Sequence, residues 1–490
     1  VRRLLRKLLR ADVHAMERTG ALRPSWLDPA MRALSRGADR GVLWLAVAGI
    51  LALVGGRPRR AAARGVLALW MSSALANGIL KPLFPRRRPP VQAWLNPKRG
   101  VPLPRSSSFP SGHSASAAAF TTAVAMESPA AGAVVAPLAA AVAYSRVHNG
   151  VHWPSDVLAG IAVGGVVAAG TRRWWAIRDE EPADLGPQAA VPALPGGDGL
   201  VVFVNPGSGS EDDGIVATIG RCLPSVVIVE LDPQTDFGEQ IEAAVTDNDP
   251  QALGVCGGDG TVVTVATAAA THSLPLAVFP GGTLNHFARD LGAADTEDTA
   301  RAVELGHAAF VDHAMVRTDT GITARFLNTA SLGGYPDAVR LREKWEPRFG
   351  KWPAAGLAMV RVLAAAEPML VTIDGAPASV WMLFVGNGRY SPADQVPMSR
   401  PHLDRGKLDV RYLRADRRFS RSRLLFAAAT GTLGRSRIYV HDEVTSISVR
   451  VLDSPVAVAT DGEVVADARQ FEFRTEPAAT AVYRLNPNSG

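Results

Sequence analysis

Five apolar runs, at 42–56, 65–80, 114–126, 130–144 and 157–170, fill much of the first third of the chain. A helical membrane span takes about 20 apolar residues, and each run is shorter. Flanking residues such as Ala61–Ala63 and Trp174–Trp175 extend several of them. One such run alone is equally the pattern of a buried soluble helix. Five in succession, rich in the Ala and Gly that let helices approach closely, predict an all-α membrane bundle over 42–177. Arginine-rich clusters at 57–64, 86–90 and 172–178 flank the runs, which is a juxtamembrane placement. The net charge of +6 therefore points to a membrane surface and phosphorylated substrates. No basic stripe interleaved with aromatics suggests nucleic acid, which is excluded as a partner. Residues 2–10 are basic and amphipathic, so the N-terminal segment 1–41 is expected to open with an interfacial helix at the outer headgroups. Pro24, Asp28 and Pro29 argue against a span inside 11–40, and residues 1–40 show no signal-peptide core.

Residues 178–199 turn acidic and then Pro- and Gly-rich, the composition of a linker. Beyond them, short Val/Ile-rich strands at 200–205, 225–230, 252–257 and 275–280 alternate with helical stretches at 236–247 and 261–271. That alternation predicts an α/β lobe with a parallel sheet over 200–322. From 323 to 486 the segments ASVWMLFVGNG, KLDVRYLR, SISVRVL, VAVATDGE and QFEFRTE read as strands, giving a mainly β second lobe. Cys222 and Cys256 lack metal-ligand spacing, so no disulfide framework is expected and a reducing compartment fits this half.

Three pieces of the first half make chemical sense together: Lys81…Arg88-Pro89, Pro110-Ser111-Gly112-His113, and Ser145-Arg146…His152…Asp156. All lie at ends of predicted spans. Lys81, Arg88 and Arg146 offer cations, two of them planar forks suited to phosphate oxygens. Ser111 and the Gly112 amide add donors at a helix start, where backbone N–H groups already favour anions. His152 and Asp156 are four apart and share a helical face. The carboxylate can then hold one ring nitrogen and leave the other to attack phosphorus, with His113 protonating the leaving oxygen. His148 is out of step with Asp156 and reads as a bystander. Singly, these groups could merely anchor helix ends; the set is far more specific.

These residues resemble the type-2 phosphatidic acid phosphatases, whose three signatures are matched by Lys81–Pro89, Pro110–His113 and Ser145–Asp156. The resemblance implies hydrolysis of a lipid phosphate monoester or pyrophosphate through a phosphohistidine, without a cofactor. It makes His152 the nucleophile, Asp156 its partner, His113 the acid, and Lys81, Arg88, Ser111, Gly112 and Arg146 the phosphate cradle. Vanadate-dependent haloperoxidases share the signature but are soluble and larger. Membrane members of the phosphatase family have six spans, against five runs here.

In the second half, glycine turns end three predicted strands: Val204–Ser210, Cys256–Thr261 and Pro280–Asn285. Such turns let backbone amides approach phosphates closely. No Gly-Lys-Ser/Thr follows, so this is not the common P-loop. Asp259 beside phosphates suggests Mg²⁺ between them. The ordered set resembles the diacylglycerol kinase catalytic family, including sphingosine kinases, over about 200–485. It spans Asn205-Pro206, Gly257–Thr261, Gly281–Asn285 with Ala288-Arg289, Asn387-Gly388, Asp404–Asp409 and Asp461-Gly462-Glu463. The resemblance implies ATP- and Mg²⁺-dependent phosphorylation of a lipid hydroxyl. Nucleotide would be bound by Asn205, Gly257, Gly258, Asp259, Gly260, Thr261, Gly281, Gly282, Thr283 and Asn285. Glu463 would act as base, and Asp404 and Asp409 would join Asp259 as metal ligands. Arg405 stands where the family has an acidic residue. Taken alone, Asp461-Gly462-Glu463 is an ordinary turn between strands.

The expectation is thus a bifunctional, multi-pass membrane enzyme acting on lipids and lipid phosphates with ATP. Its kinase would be cytoplasmic and its phosphatase site would lie on the outer face. The kinase acceptor is diacylglycerol-like, with a long-chain base or a polyprenol as alternatives. A lipid-binding regulator with one inactive half is the reading from a different class. Oligomeric state is left open, and the kinase resemblance allows a dimer.

Overall fold

The structure is a computed structural model that describes residues 2–23, 25–54, 56–90, 106–177, 182–207, 212–282, 285–293, 295–333, 367–394, 397 and 399–485. It divides into two compact units, Val1–Arg178 and Asp179–Gly490.

The first unit is helical: α1 (Arg2–Gly20), α2 (Leu27–Gly37), α3 (Val42–Val54), α4 (Gly56–Ala74), α5 (Gly112–Glu127), α6 (Pro129–His148) and α7 (Pro154–Thr171). A π-helical turn, Leu75–Leu80, continues α4 through Lys81–Leu83. Among the described residues, Gly56–Leu83, Pro129–His148 and Pro154–Thr171 are long and apolar enough to cross a membrane. Leu27–Gly37 with Asp39–Val54, bent by 63°, forms a fourth if the pair is one span. Within 1–41, Arg2–Gly20 and Leu27–Gly37 are helical.

Helix α5 packs against α4, α6 and α7, and glycine permits the contacts. A Cβ at Gly160 or Gly164 of α7 would fall 2.5 Å from the Ser111 carbonyl oxygen or 2.3 Å from that of Ala115. Small residues four apart on one helix face are what allow such backbone approach. On another side of α5, Phe120 packs against Trp44 with ring centroids 5.3 Å apart. Arg64 departs from its expected place among headgroup-facing cations. It is fully buried, paired with Glu127 at 2.6 Å, and donates to Thr171 and to the Trp175 and Ala176 carbonyls. A buried guanidinium requires such partners.

In the second unit, β2 (Leu200–Val204), β3 (Val227–Glu230), β4 (Ala252–Gly257) and β5 (Leu276–Pro280) form a parallel sheet in the order β3-β2-β4-β5. Val201 and Phe203 enter one core, while Leu200, Val202 and Val204 enter another. A strand covered on both faces reads as an unbroken apolar run. The predicted helical stretches are α9 (Phe237–Asn248) and α10 (Asp259–His272), preceded by α8 (Asp212–Cys222).

The second lobe is mainly antiparallel. It includes β8 (Thr329–Gly333), β10 (Ala376–Asn387), β11 (Leu408–Arg414), β13 (Ser446–Val451), β14 (Val456–Thr460) and β15 (Glu463–Ala468) around a third core. Strand β16 (Gln470–Tyr483) runs parallel to β5 at Val482 and joins the lobes. The expected linker is also corrected. Ala183 donates to the Asp290 carbonyl at 2.7 Å, and β1 (Gln188–Ala190) pairs with β6 (His307–Thr318), so 183–199 belongs to the fold. Proline and glycine there mark turns within the fold.

Candidate functional site

The three signature segments of the first unit meet around His152, which is 2% exposed. Its Nδ1 lies 2.7 Å from the Ser108 carbonyl and its Nε2 lies 3.3 Å from Arg88 Nη1. A carbonyl only accepts and a guanidinium only donates. Nδ1 therefore carries the proton, and Nε2 carries the lone pair. Burial, followed by the positive charges of Arg88 and Arg146, pushes the His152 imidazolium down to about pKa 4. The ring is thus neutral at ordinary pH.

Asp156 stays at ion-pair distance from the ring without a direct hydrogen bond to it. Its carboxylate stands 3.7 Å from His152 Nδ1, beyond a hydrogen bond. Instead it accepts from the Trp153 amide at 3.0 Å, pairs with Arg86 at 2.6 Å, and takes a short hydrogen bond from Ser108 Oγ. As the third residue of α7 it is occupied by the helix start. It steadies Ser108, whose carbonyl holds the ring.

Arg88 Nη1 also donates to the Val151 carbonyl at 2.7 Å, and its other nitrogens reach Ser106 and Ser107. Lys81 donates to Asn77 Oδ1 at 2.7 Å and lies within electrostatic range of Arg88 and Arg146. Gly112 packs on the same Asn77: a Cβ there would meet Oδ1 at 2.8 Å. Ser111 caps α5, and its amide donates to the Asp156 carbonyl at 3.0 Å. His113 is bonded to Asp39 at 2.7 Å, with Arg146 and His152 in electrostatic range. Arg146 donates to Ser35 through a short hydrogen bond, while its buried Nε has no partner among the described residues. His148 is buried in a pair with Asp28 at 2.8 Å.

The fold therefore gathers Lys81, Arg88, Ser111, Gly112, His113, Arg146 and His152. It adds Arg86, Asn77, Ser108, Ser35 and Asp39, which sequence reading did not select. Arg86 was visible in the triplet at 86–88. Asn77 was detectable only as a polar residue inside an apolar run, four positions before Lys81. Ser35 and Asp39 gave no signal, because their partners lie more than 70 positions away.

In the second unit the glycine loops pack on one another. A Cβ at Gly281 would meet Cys256 Sγ at 2.7 Å, and one at Gly282 the Gly258 Cα at 2.6 Å. Asn205 donates to Thr261 at 2.9 Å, and Asn285 Oδ1 accepts from the Gly282 amide at 2.8 Å. Asp259 opens α10 and accepts from the Phe287 amide at 3.3 Å. Thr283 lies outside the described residues. Glu463 is brought to this loop, since its Oε1 is 2.7 Å from where a Gly260 Cβ would stand. Neighbouring Asp461 accepts from the Leu327, Asn328 and Thr329 amides, and burial pushes its carboxyl up to about pKa 6.

The expected metal set is not assembled. Both oxygens of Asp409 are paired with Arg411, at 2.8 and 2.7 Å. Among the described residues no three His, Cys, Asp or Glu side chains converge. Asp404 instead lies in electrostatic range of Asp312, whose carboxyl is held above its ordinary range chiefly by burial. Asp404 and Asp409 do not fit a magnesium ion as a pair. Asp259 fits one shared with nucleotide phosphates, since such an ion takes only one or two protein carboxylates.

Residues 62–180 match the PAP2 superfamily, and residues 199–316 match the diacylglycerol kinase catalytic domain. The decaprenylphosphoryl-5-phosphoribose phosphatase of Mycobacterium tuberculosis is 35% identical over 149 residues, covering 30% of this chain and 79% of that protein. A diacylglycerol kinase structure from Bacillus anthracis, 19% identical, covers 59% of this chain and 97% of its own, with a TM-score of 0.42. A PAP2 type phosphatidylglycerolphosphate phosphatase structure from Bacillus subtilis, 24% identical, covers 33% and 83%, with a TM-score of 0.28. The chain belongs to the PAP2 superfamily through residues 62–180 and carries, fused behind it, a diacylglycerol kinase catalytic domain at 199–316.

Proposed function

We propose that the first unit removes phosphate from a lipid through His152 and that the second transfers phosphate from ATP to a lipid hydroxyl. The observation that carries the first half is the doubly fixed tautomer of His152, with its lone pair beside the Arg88 fork. Nε2 attacks phosphorus, the bond to the leaving oxygen breaks, and His113 supplies that oxygen with a proton. Lys81, Arg88 and Arg146, with Ser111 and the Gly112 amide, hold the phosphoryl oxygens and meet the charge that builds on them. Water then cleaves the phosphohistidine.

In the second unit, Asn205, Gly257, Gly258, Asp259, Gly260, Thr261, Gly281, Gly282, Thr283 and Asn285 form the nucleotide site. Glu463, set against Gly260, takes the proton of the acceptor hydroxyl. A bound Mg²⁺ would neutralise phosphate charge, with Asp259 the carboxylate placed to hold it.

The acceptor read from the family is diacylglycerol-like. The mycobacterial relative supports a second phosphatase reading, in which the substrate is a phosphomonoester on a polyprenyl-linked sugar. For topology, a cytoplasmic kinase and an outward phosphatase site suit the arginine clusters at 57–64 and 172–178.

Turnover of both lipid classes, and of labelled ATP against a lipid panel with product masses, tests the assignment. His152→Ala should abolish phosphate release while leaving kinase turnover unchanged. Glu463→Gln should lower kinase kcat by roughly 100-fold or more and leave the phosphatase untouched. A parent protein with one silent half would replace the bifunctional reading with a regulator.

A further inference from the structure

The N-terminal helices reach the phosphatase site with four polar side chains, all ahead of the family-matched stretch that begins at residue 62. Asp12 pairs with Arg86 at 2.8 Å and accepts from Ser155. Asp28 holds His148, Ser35 meets Arg146, and Asp39 meets His113. Asp39 lies at the bend between α2 and α3, where Arg40 and Gly41 take φ values of 55° and 79°. That reversal presents its carboxylate to the start of α5.

We infer that Asp39 is a positioning residue for His113, completing the phosphatase site from ahead of the family-matched residues 62–180; the inference rests on the phosphatase reading above. Asp39 Oδ1 is 2.7 Å from His113 Nε2 and accepts its proton. The hydrogen bond made by one ring nitrogen determines what the other can do. With Nε2–H committed to Asp39, it is the imidazolium form of the ring, stabilised by that carboxylate, that carries a mobile proton on Nδ1. As His152 Nε2 bonds to phosphorus, the electrons of the breaking P–O bond pass to the leaving oxygen, which takes the proton from Nδ1. When water later attacks the phosphohistidine, the Nδ1 lone pair accepts the water's proton and the cycle closes.

The charged groups around His113 are Asp39, Arg146 and, when protonated, His152. Burial first, and then Arg146, pushes the His113 imidazolium down to about pKa 4, and Asp39 is the carboxylate that opposes that shift. The Asp39 side chain is 57% exposed, so as a mere surface ion pair it would matter little to the fold.

The test uses the full chain in lipid nanodiscs with two substrates. One is an alkyl lipid phosphate, whose leaving oxygen needs a proton. The other is an aryl phosphate ester, whose leaving group departs as the anion. Asp39→Asn should lower kcat on the alkyl substrate by about 10- to 100-fold with KM unchanged, but by less than about threefold on the aryl ester. Asp39→Glu should recover part of the alkyl activity, and kinase turnover of the same sample checks that the chain is intact. Equal losses on both substrates, or no loss on either, would overturn the inference. His152→Ala, run alongside, should abolish both reactions. Survival of activity in that variant would instead remove the phosphatase reading itself.

Discussion

At the scale of single residues, His152 and Asp156 show both the reach and the limit of spacing arguments. Four positions apart, they were expected to bond directly. In the structure the carboxylate is drawn to the Trp153 amide, Arg86 and Ser108, and the ring to the Ser108 carbonyl. Spacing identifies which side chains share a face; competition among nearby donors decides which of them bond. The placement has a pH consequence. Burial and neighbouring arginines disfavour the imidazolium, so His152 protonates only near pH 4, well below the 6.5 of an ordinary histidine. The acid limb of phosphatase kcat/KM should therefore lie near pH 4 as far as the nucleophile is concerned. A pH–rate profile for free enzyme measures it, and an acid limb at pH 6 to 7 assigned to His152 would contradict the geometry.

At the scale of elements, the site depends on how closely α7 approaches α5. Gly160 and Gly164 were legible as small residues in an apolar run, and the run predicted a helix that packs tightly. Which helix it touches was not legible, because nothing local in a sequence encodes a partner. Gly164→Val would drive a side chain into the Ala115 carbonyl, 2.3 Å from the added Cβ. Separating α5 from α7 should displace Ser111 from Asp156 and His113 from His152. We expect at least a tenfold loss of phosphatase kcat, on the order of 1.4 kcal/mol in barrier, with kinase turnover unchanged. Assaying both activities on one preparation checks this. The N-terminal helices carry the same lesson. Their basic, amphipathic character suggested a peripheral helix, and that character says nothing of Asp12, Asp28, Ser35 and Asp39 reaching into the bundle. Those contacts also account for a basic N-terminal helix on the same side as the site.

At the scale of the whole molecule, the chain joins a PAP2 phosphatase-family domain to a diacylglycerol kinase catalytic domain, families whose chemistries are opposed. If the kinase faces ATP and the phosphatase site opens on the opposite leaflet, the two draw on different lipid pools and a futile cycle is limited. In sealed, oriented vesicles, phosphate release should respond to substrate on one side and ATP-dependent labelling to ATP on the other. Both activities on the same side would refute this topology.

The order of apolar runs, the glycine turns after strands and the short signature segments settled the two-part architecture and the broad chemistry, because each depends on residues within a few positions of one another. The tautomer of His152, the diversion of Asp156, the loss of Asp409 to Arg411 and the meeting of Glu463 with Gly260 were decided only by tertiary structure. Most of these join groups tens to hundreds of positions apart. Even the local pair, Asp409 and Arg411, is fixed by burial, which leaves a carboxylate no water to prefer over a guanidinium.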